Sequence, residues 1–212
     1  MKNGGRNWRK PAAKINTNEF TDLNDQKAKL RKEIRAVLQN ITPAARLAAS
    51  AHIRTRLKEQ PFWRDATSIL FFASLPDEVD LWPLLDETLA GGKIAALPRF
   101  DHASNDYLAC RVQHPQTEVG PGQFGIREPK LHCPEIPAER LGLILVPGVA
   151  FDVRGGRLGR GRGFYDRLLA GIPGTKCGVA FDEQIVEAVP IGKLDVQMDF
   201  ILTPTRCVRC ET

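Results

Sequence analysis

Residues 141–169 read LGLILVPGVAFDVRGGRLGRGRGFYDRLL. The segment divides into three parts. LILVP, 143–147, is a continuous apolar run closed by proline, with no polar alternation. That pattern suits a strand buried on both faces, as in a parallel sheet. FYDRLLAG, 164–171, reads as a short helix ended by glycine. Between them lies a loop carrying glycines 155, 156, 159, 161 and 163 and four arginines. Strand, loop and helix form the repeating unit of a layered α/β fold. In open α/β sheets ligands gather beyond the carboxyl ends of the strands, which is where this loop lies.

The flanking sequence repeats the alternation. Leu23, Leu30, Ile34, Val37 and Leu38 recur at helical spacing and predict a helix over 23–39. Thr42-Pro43 supplies an N-cap followed by proline at the first helical position. The helix it starts is expected to reach Glu59, with Leu47, Ile53 and Leu57 as its buried stripe. SILFFAS, 68–74, reads as a buried strand, and LWPLLDETLAGG, 81–92, as a helix stopped by glycine. KIAALP, YLACRV, KCGVAF and MDFILT are strand-like, the last of them expected to be the final strand. Residues 113–140, rich in proline, glycine and glutamine, are expected to be loop. The fold expected is a three-layer α/β/α domain around a mostly parallel central sheet.

Charge is distributed unevenly. The chain of 212 residues has 30 basic and 25 acidic side chains, a formal charge of +5. Lys2, Arg6, Arg9, Lys10 and Lys14 all precede the first acid, Glu19, and without those five the chain is balanced at 25 against 25. Residues 1–20 are therefore expected to be a disordered basic extension, and 21–212 a single domain. The extension lacks the apolar core of a secretory signal. The longest apolar stretches, ILFFASL and LGLILVPGVAF, are too short to span a bilayer, so a soluble protein with no membrane partner is expected. Cys110, Cys133, Cys177, Cys207 and Cys210 are odd in number and scattered, which suits a reducing, cytoplasmic setting. Cys207 and Cys210 form a CxxC with no second pair at metal-binding spacing, and they are read as ordinary thiols in a tail. No histidine shows metal spacing.

Glycine admits backbone angles closed to other residues, so successive N–H groups can converge on one anion. A helix start adds its free N–H groups, and Arg157, Arg160 and Arg162 add forked donors suited to phosphate oxygens. The loop is not a P-loop, because Arg162-Gly163 stands where Lys and Ser or Thr are needed. The residues alone leave three readings open: a phosphate loop, an RNA contact and a plain surface turn. Asp166, in the first turn of the helix, can partner the helix dipole or bind Mg²⁺ beside a polyphosphate. Asp152 is a second candidate for Mg²⁺ or a turn residue. PDEVD, 76–80, places Glu78 beyond the strand SILFFAS, and Lys27 and Arg31 share a helical face.

VPGVAFDVRGGRLGRGRGFYDRLL resembles the hallmark of the 5-formyltetrahydrofolate cyclo-ligase family, also called 5,10-methenyltetrahydrofolate synthetases. KAKLRKEIR, LPDEVD and VAFDEQIVEAVPIGKLDVQMDFILT resemble further family segments in the family's order, and the resemblance spans about residues 25–205. It implies a reaction in which 5-formyltetrahydrofolate and ATP, with Mg²⁺, give 5,10-methenyltetrahydrofolate, ADP and phosphate through a phosphorylated formyl group (an iminium phosphate). It also implies site residues. Lys27 and Arg31, together with Arg157, Leu158, Gly159, Arg160, Gly161, Arg162, Gly163, Phe164 and Tyr165, would hold ATP. Arg160 and Arg162, nearest the transferred group, would be catalytic. Glu78 would bind the pterin portion of the folate. Phe124, in GQFGIREP, stands where the family can place a tryptophan against the substrate. Arg160, Gly161, Arg162, Gly163 and Phe164 would also face the folate. Asp166 and Asp195 would bind Mg²⁺. Phe164 stands where tyrosine is frequent, so a hydroxyl is absent. The alternatives are a related ATP-dependent enzyme acting on another folate-like or heterocyclic substrate, and an RNA-binding protein using the basic extension and the loop. A monomer without nucleic acid is expected.

Overall fold

The computed structural model describes residues 17–211. The expectation of disorder over residues 1–16 falls outside the described residues. Helix α1 runs Thr17–Gln39, so residues 17–20 are helical, and the helix begins six residues ahead of the apolar period. Its buried stripe is Ile34 and Leu38, while Val37 is 43% exposed. Helix α2, Pro43–Glu59, is capped as expected, with the Thr42 hydroxyl accepting the Ala45 N–H. It buries Ser50, Ile53 and Leu57, a 3.6-residue stripe. Leu47, expected in that stripe, is 63% exposed. It lies one turn before Ser50, ahead of the buried part of the helix.

A short α3, Pro61–Asp65, leads into strand β1, Ser68–Leu70. Helix α4, Trp82–Ala90, crosses over to β2, Ile94–Asp101, and a hairpin returns as β3, Asp106–Val112. The segment expected to be loop is built instead from short elements: α5, Pro115–Glu118, and a β4–β5 hairpin, Val119–Pro121 and Arg127–Pro129. None is long enough to show a period, which is why the sequence does not mark them. Then come β6, Leu143–Val146, the two-residue strands β7, Ala150–Phe151, and β8, Arg157–Leu158, and helix α6, Phe164–Ala170. Strand β9, Thr175–Val179, precedes β10, Phe200–Leu202, and β11, Cys207–Arg209.

The main sheet has seven strands in the order β11-β10-β9-β6-β1-β2-β3. The five inner strands pair in parallel, and the edge strands β3 and β11 pair antiparallel. Residues alternate between the faces. Ile69, Leu143 and Leu145 pack with α1, α2 and α4, whereas Leu70, Ile144 and Val146 pack with α6. Helices on both faces make the three layers. MDFILT is thus not the last strand: β11 follows it. The CxxC lies on and beside that edge strand, and its thiols divide between the two cores, Cys207 on one and Cys210 on the other. Two side chains on opposite faces of a sheet do not share a metal. Burial pushes the Cys210 thiol up to about 11, as expected of an inert structural cysteine.

From β1 the chain winds outward through α4 to β2, and β6 lies on the other side of β1. The winding reverses between β1 and β6. The carboxyl ends of these two strands therefore flank the crevice where open α/β sheets bind ligands. No described helix is long and apolar enough to cross a membrane.

Candidate active site

The crevice at the switch point holds a cleft of about 390 Å³. Phe72, Ala73, Leu75 and Glu78 reach it from the segment after β1, and Pro147 and Gly148 from the turn after β6. Every site residue implied by the family resemblance lines it: Lys27 and Arg31 on α1, Glu78, Phe124, the run 157–166, and Asp195. These positions span more than 160 residues of chain, and no local pattern could have placed them together.

The glycine–arginine loop forms one wall. Gly161 has φ +107° and Gly163, which caps α6, has φ +69°. L side chains avoid both conformations. From α1, Arg31 Nε donates to the Gly159 carbonyl at 2.8 Å and ties the helix to the loop. Burial and then neighbouring Arg35 push the Arg31 pKa down, with Asp195 opposing them.

Three acid–base pairs organise the charge. Lys27 Nζ meets Asp195 Oδ2, which also accepts the Gly192 N–H at 2.6 Å. Arg157 donates to Asp166 Oδ1 at 2.7 Å and to the Pro147 carbonyl at 3.3 Å, and is itself 4% exposed. Its Nε is buried without a partner among the described residues. Arg160 donates to Glu78 Oε1 from Nε at 3.1 Å and from a terminal nitrogen at 2.9 Å, and to Asp77 Oδ1 at 2.8 Å. Glu78 has a side chain only 13% exposed, and burial raises its pKa despite Arg160 beside it. For Arg160, burial acts against the charge, but the two carboxylates outweigh it and the pKa is raised.

The opposite wall is aromatic. Phe124 stacks on Phe164 with centroids 5.6 Å apart, and Phe100 meets both edge-on at 5.5 Å. The Arg162 guanidinium lies 4.0 Å from the Phe124 ring centroid, a cation–π contact. Tyr107, inside this cluster, has its hydroxyl pushed up to about 12 by burial and by Glu128.

The sequence-derived residues separate by position. Arg160 and Arg162 are exposed at the mouth, whereas Arg157 is interior and organises Asp166. The Leu158 side chain belongs to the core, at 1% exposure, so only its backbone can face a ligand. Asp152 takes the turn role. It is 2% exposed and accepts the N–H groups of Arg154, Gly156 and Val189. Sequence reasoning passed over Asp77 as a partner of Arg160, and it read Tyr107 only as a strand residue. A tyrosine in an apolar strand carries no sign that it faces a cleft. Asp166 and Asp195 are two carboxylates on one cleft, and no described cluster of three or more metal-ligating side chains accompanies them. Two carboxylates suit Mg²⁺, which is commonly held by one or two of them with phosphate and water completing the shell.

Residues 23–204 match the sequence profile of the 5-formyltetrahydrofolate cyclo-ligase family. The chain is 33% identical to the 5-formyltetrahydrofolate cyclo-ligase of Escherichia coli strain K12, over 82% of this chain and 97% of that one. It is 29% identical to the mouse protein of the same name, over 85% and 94% of the two chains. The solved structure of Aquifex aeolicus 5,10-methenyltetrahydrofolate synthetase superposes with a TM-score of 0.79 at 34% identity, covering 88% of this chain and 93% of that one. With the profile spanning its sheet, its loop and its cleft, this chain belongs to the 5-formyltetrahydrofolate cyclo-ligase family.

Proposed function

We propose that the protein converts 5-formyltetrahydrofolate to 5,10-methenyltetrahydrofolate with consumption of ATP. One observation carries the reading: Arg160 stands at the junction of the two walls, part of the glycine–arginine loop yet bonded to the buried Glu78. A phosphate donor on the loop and a pterin on Glu78 would place the reacting atoms beside this guanidinium.

The chemistry asks the protein for positioning and charge, not for a nucleophile. A formamide oxygen is a poor leaving group. When that oxygen attacks the γ-phosphorus of ATP, ADP leaves and the formyl carbon becomes an iminium phosphate. Folate N10 then bonds to that carbon, loses its proton, and phosphate departs. Lys27, Arg31 and the loop N–H groups would hold the triphosphate. Arg160 and Arg162 would meet the charge on the transferred group. Phe124 and Phe164 would cover the flat ring system. Asp166 and Asp195 would hold Mg²⁺, which when bound neutralises phosphate charge. A single chain supplies both walls, so a monomer suffices. The five unpaired cysteines fit the reducing, cytoplasmic setting that belongs to this proposal.

The test mixes purified protein with ATP, Mg²⁺ and 5-formyltetrahydrofolate and follows the absorbance of the methenyl product. ATP-dependent growth of that band is the expected result. ATP binding without product would keep the phosphate loop and overturn the substrate.

A further inference from the structure

Phe124 lies in a turn closed by two backbone bonds, Ile126 N–H to the Gln123 carbonyl at 3.1 Å and Gly122 N–H to the Ile126 carbonyl at 2.8 Å. The 3₁₀ turn Gln123–Gly125 sets Phe124 at φ +59°, a left-handed conformation unfavourable for a bulky side chain. Such conformations persist where the surroundings over-determine them, and they gather at ligand sites. Beyond the turn's own bonds and the rings around Phe124, what ties the turn to the main sheet is a carboxylate. Glu128, on β5, is 8% exposed, yet it takes part in no ion pair among the described residues. Burying a carboxylate is costly unless hydrogen bonds compensate, and two backbone donors do so. Glu128 Oε1 accepts the Gln123 N–H at 3.2 Å, and Oε2 accepts the Phe100 N–H at 3.2 Å.

Strand geometry explains why the Phe100 donor is available. Strand β2 pairs with β1 only over Ile94–Ala96, so its farther half runs on without a strand on that side. The Glu128 carboxylate occupies that edge and ties it to the turn bearing Phe124. Gly122 makes the room: a Cβ there would lie 2.5 Å from Glu128 Cδ. Its backbone, φ −126° and ψ −160°, is open to any residue, so the glycine serves the carboxylate and not the chain direction.

We propose that Glu128 is a positioning residue, fixing the Phe124 turn against β2 and thereby setting the affinity of the cleft for the folate ring. The proposal rests on the reading of Phe124 as a folate contact. Glu128 itself bonds to no residue proposed for ATP, and Phe124 meets the loop only through Phe164 and Arg162.

The test is steady-state kinetics of the full chain as Glu128→Ala, Phe124→Ala and the double variant, with KM measured for each substrate. Loosening a contact wall by about 1 Å can cost up to ~100-fold, and an increase of roughly tenfold in folate KM is expected for Glu128→Ala, with a clearly smaller change in ATP KM. In the Phe124→Ala background, Glu128→Ala should add nothing, since coupled residues are non-additive. Full additivity, or an equal rise in ATP KM, overturns the proposal. If Phe124→Ala itself leaves folate KM unchanged, the Phe124 reading falls and the proposal with it. If Phe124→Ala raises folate KM and Glu128→Ala does not, the proposal falls alone. Should Glu128→Ala fail to fold, Glu128→Gln carries the test, because the isosteric amide keeps the packing but offers one acceptor oxygen to the two N–H donors. The same selective rise in folate KM supports the proposal, and wild-type folate KM overturns it.

Discussion

Arg160→Ala separates a catalytic from a structural role for the most connected side chain of the cleft. The structural cost follows from its partners. The contact with Asp77 joins side chains 42% and 52% exposed, and exposed pairs contribute about 0–1 kcal/mol. Glu78 is 13% exposed and loses both bonds from the guanidinium, keeping the Leu75 N–H at 3.0 Å. An under-satisfied buried acceptor costs about 1–3 kcal/mol. The sum is roughly 1–4 kcal/mol, a fall in Tm of several degrees at about 2–4 °C per kcal/mol for a chain of this size. The catalytic cost is separate. Loss of one donor stabilising a developing anion lowers kcat about 10²–10³-fold, ~3–4 kcal/mol. The assay is methenyl-folate formation at saturating substrates and at a temperature where the variant is folded, with thermal melting alongside. Asp77→Asn serves as the control. It removes only the exposed contact, so Tm should move by no more than about 2–4 °C and kcat should stay near wild type. An Arg160→Ala enzyme with the expected fall in Tm but wild-type kcat would refute a role in phosphoryl transfer.

Two further substitutions probe the walls separately. Burial raises the Glu78 pKa, so the folded chain binds this proton more readily than the unfolded chain, and stability is lost as pH rises through the raised value. Glu78→Gln should abolish folate binding yet melt above wild type at neutral pH, with the advantage vanishing toward pH 4.5, the ordinary value; calorimetry across pH checks it, and an advantage that grew in acid would contradict the sign. Lys27→Ala removes a charge-assisted contact of the proposed ATP wall, a class contributing about 1.5–3 kcal/mol, so ATP KM should rise roughly 10–100-fold with folate KM little changed. An unchanged ATP KM in titrations at fixed folate would remove Lys27 from the site.

The legible parts of the sequence were those with a period or a punctuation mark. LILVP announces a strand buried on both faces, and Leu143 to Val146 are all buried. Thr42-Pro43 announces a helix start, and the cap is there. The Arg/Gly run announces a glycine-shaped loop beyond a strand end, and the cleft forms against it. The β4–β5 hairpin was illegible because three-residue strands have no alternation to read. Leu47 misled because helical spacing identifies a face but not where along the helix the core ends. Asp77 was visible as charge in PDEVD, but its partner lies 83 residues away. Resemblance to the family, not residue chemistry, joined Lys27 to Asp166, since sequence alone has no measure of distance across a sheet.

The three ion pairs bear on how such a cleft stays folded without its ligands. Three cations of the proposed phosphate wall are held by a carboxylate proposed for another ligand or by its neighbour: Lys27 by Asp195, Arg157 by Asp166, Arg160 by Glu78 and Asp77. Unpaired, three cations around one loop would repel one another, and their carboxylates would be stranded in a poorly solvated crevice. Pairing removes both penalties and fixes the side chains near their working positions. On the proposed reading, Lys27 and Arg160 would turn from their carboxylates toward a bound triphosphate, and Asp166 and Asp195 would hold Mg²⁺. Arg157 differs. At 4% exposure, with the Pro147 carbonyl as a second partner, it has little freedom to turn, and its charge acts through Asp166. Within the loop Arg157 is thus a fixed support and Arg160 a mobile donor, a division that the sequence, with both set among glycines, does not reveal.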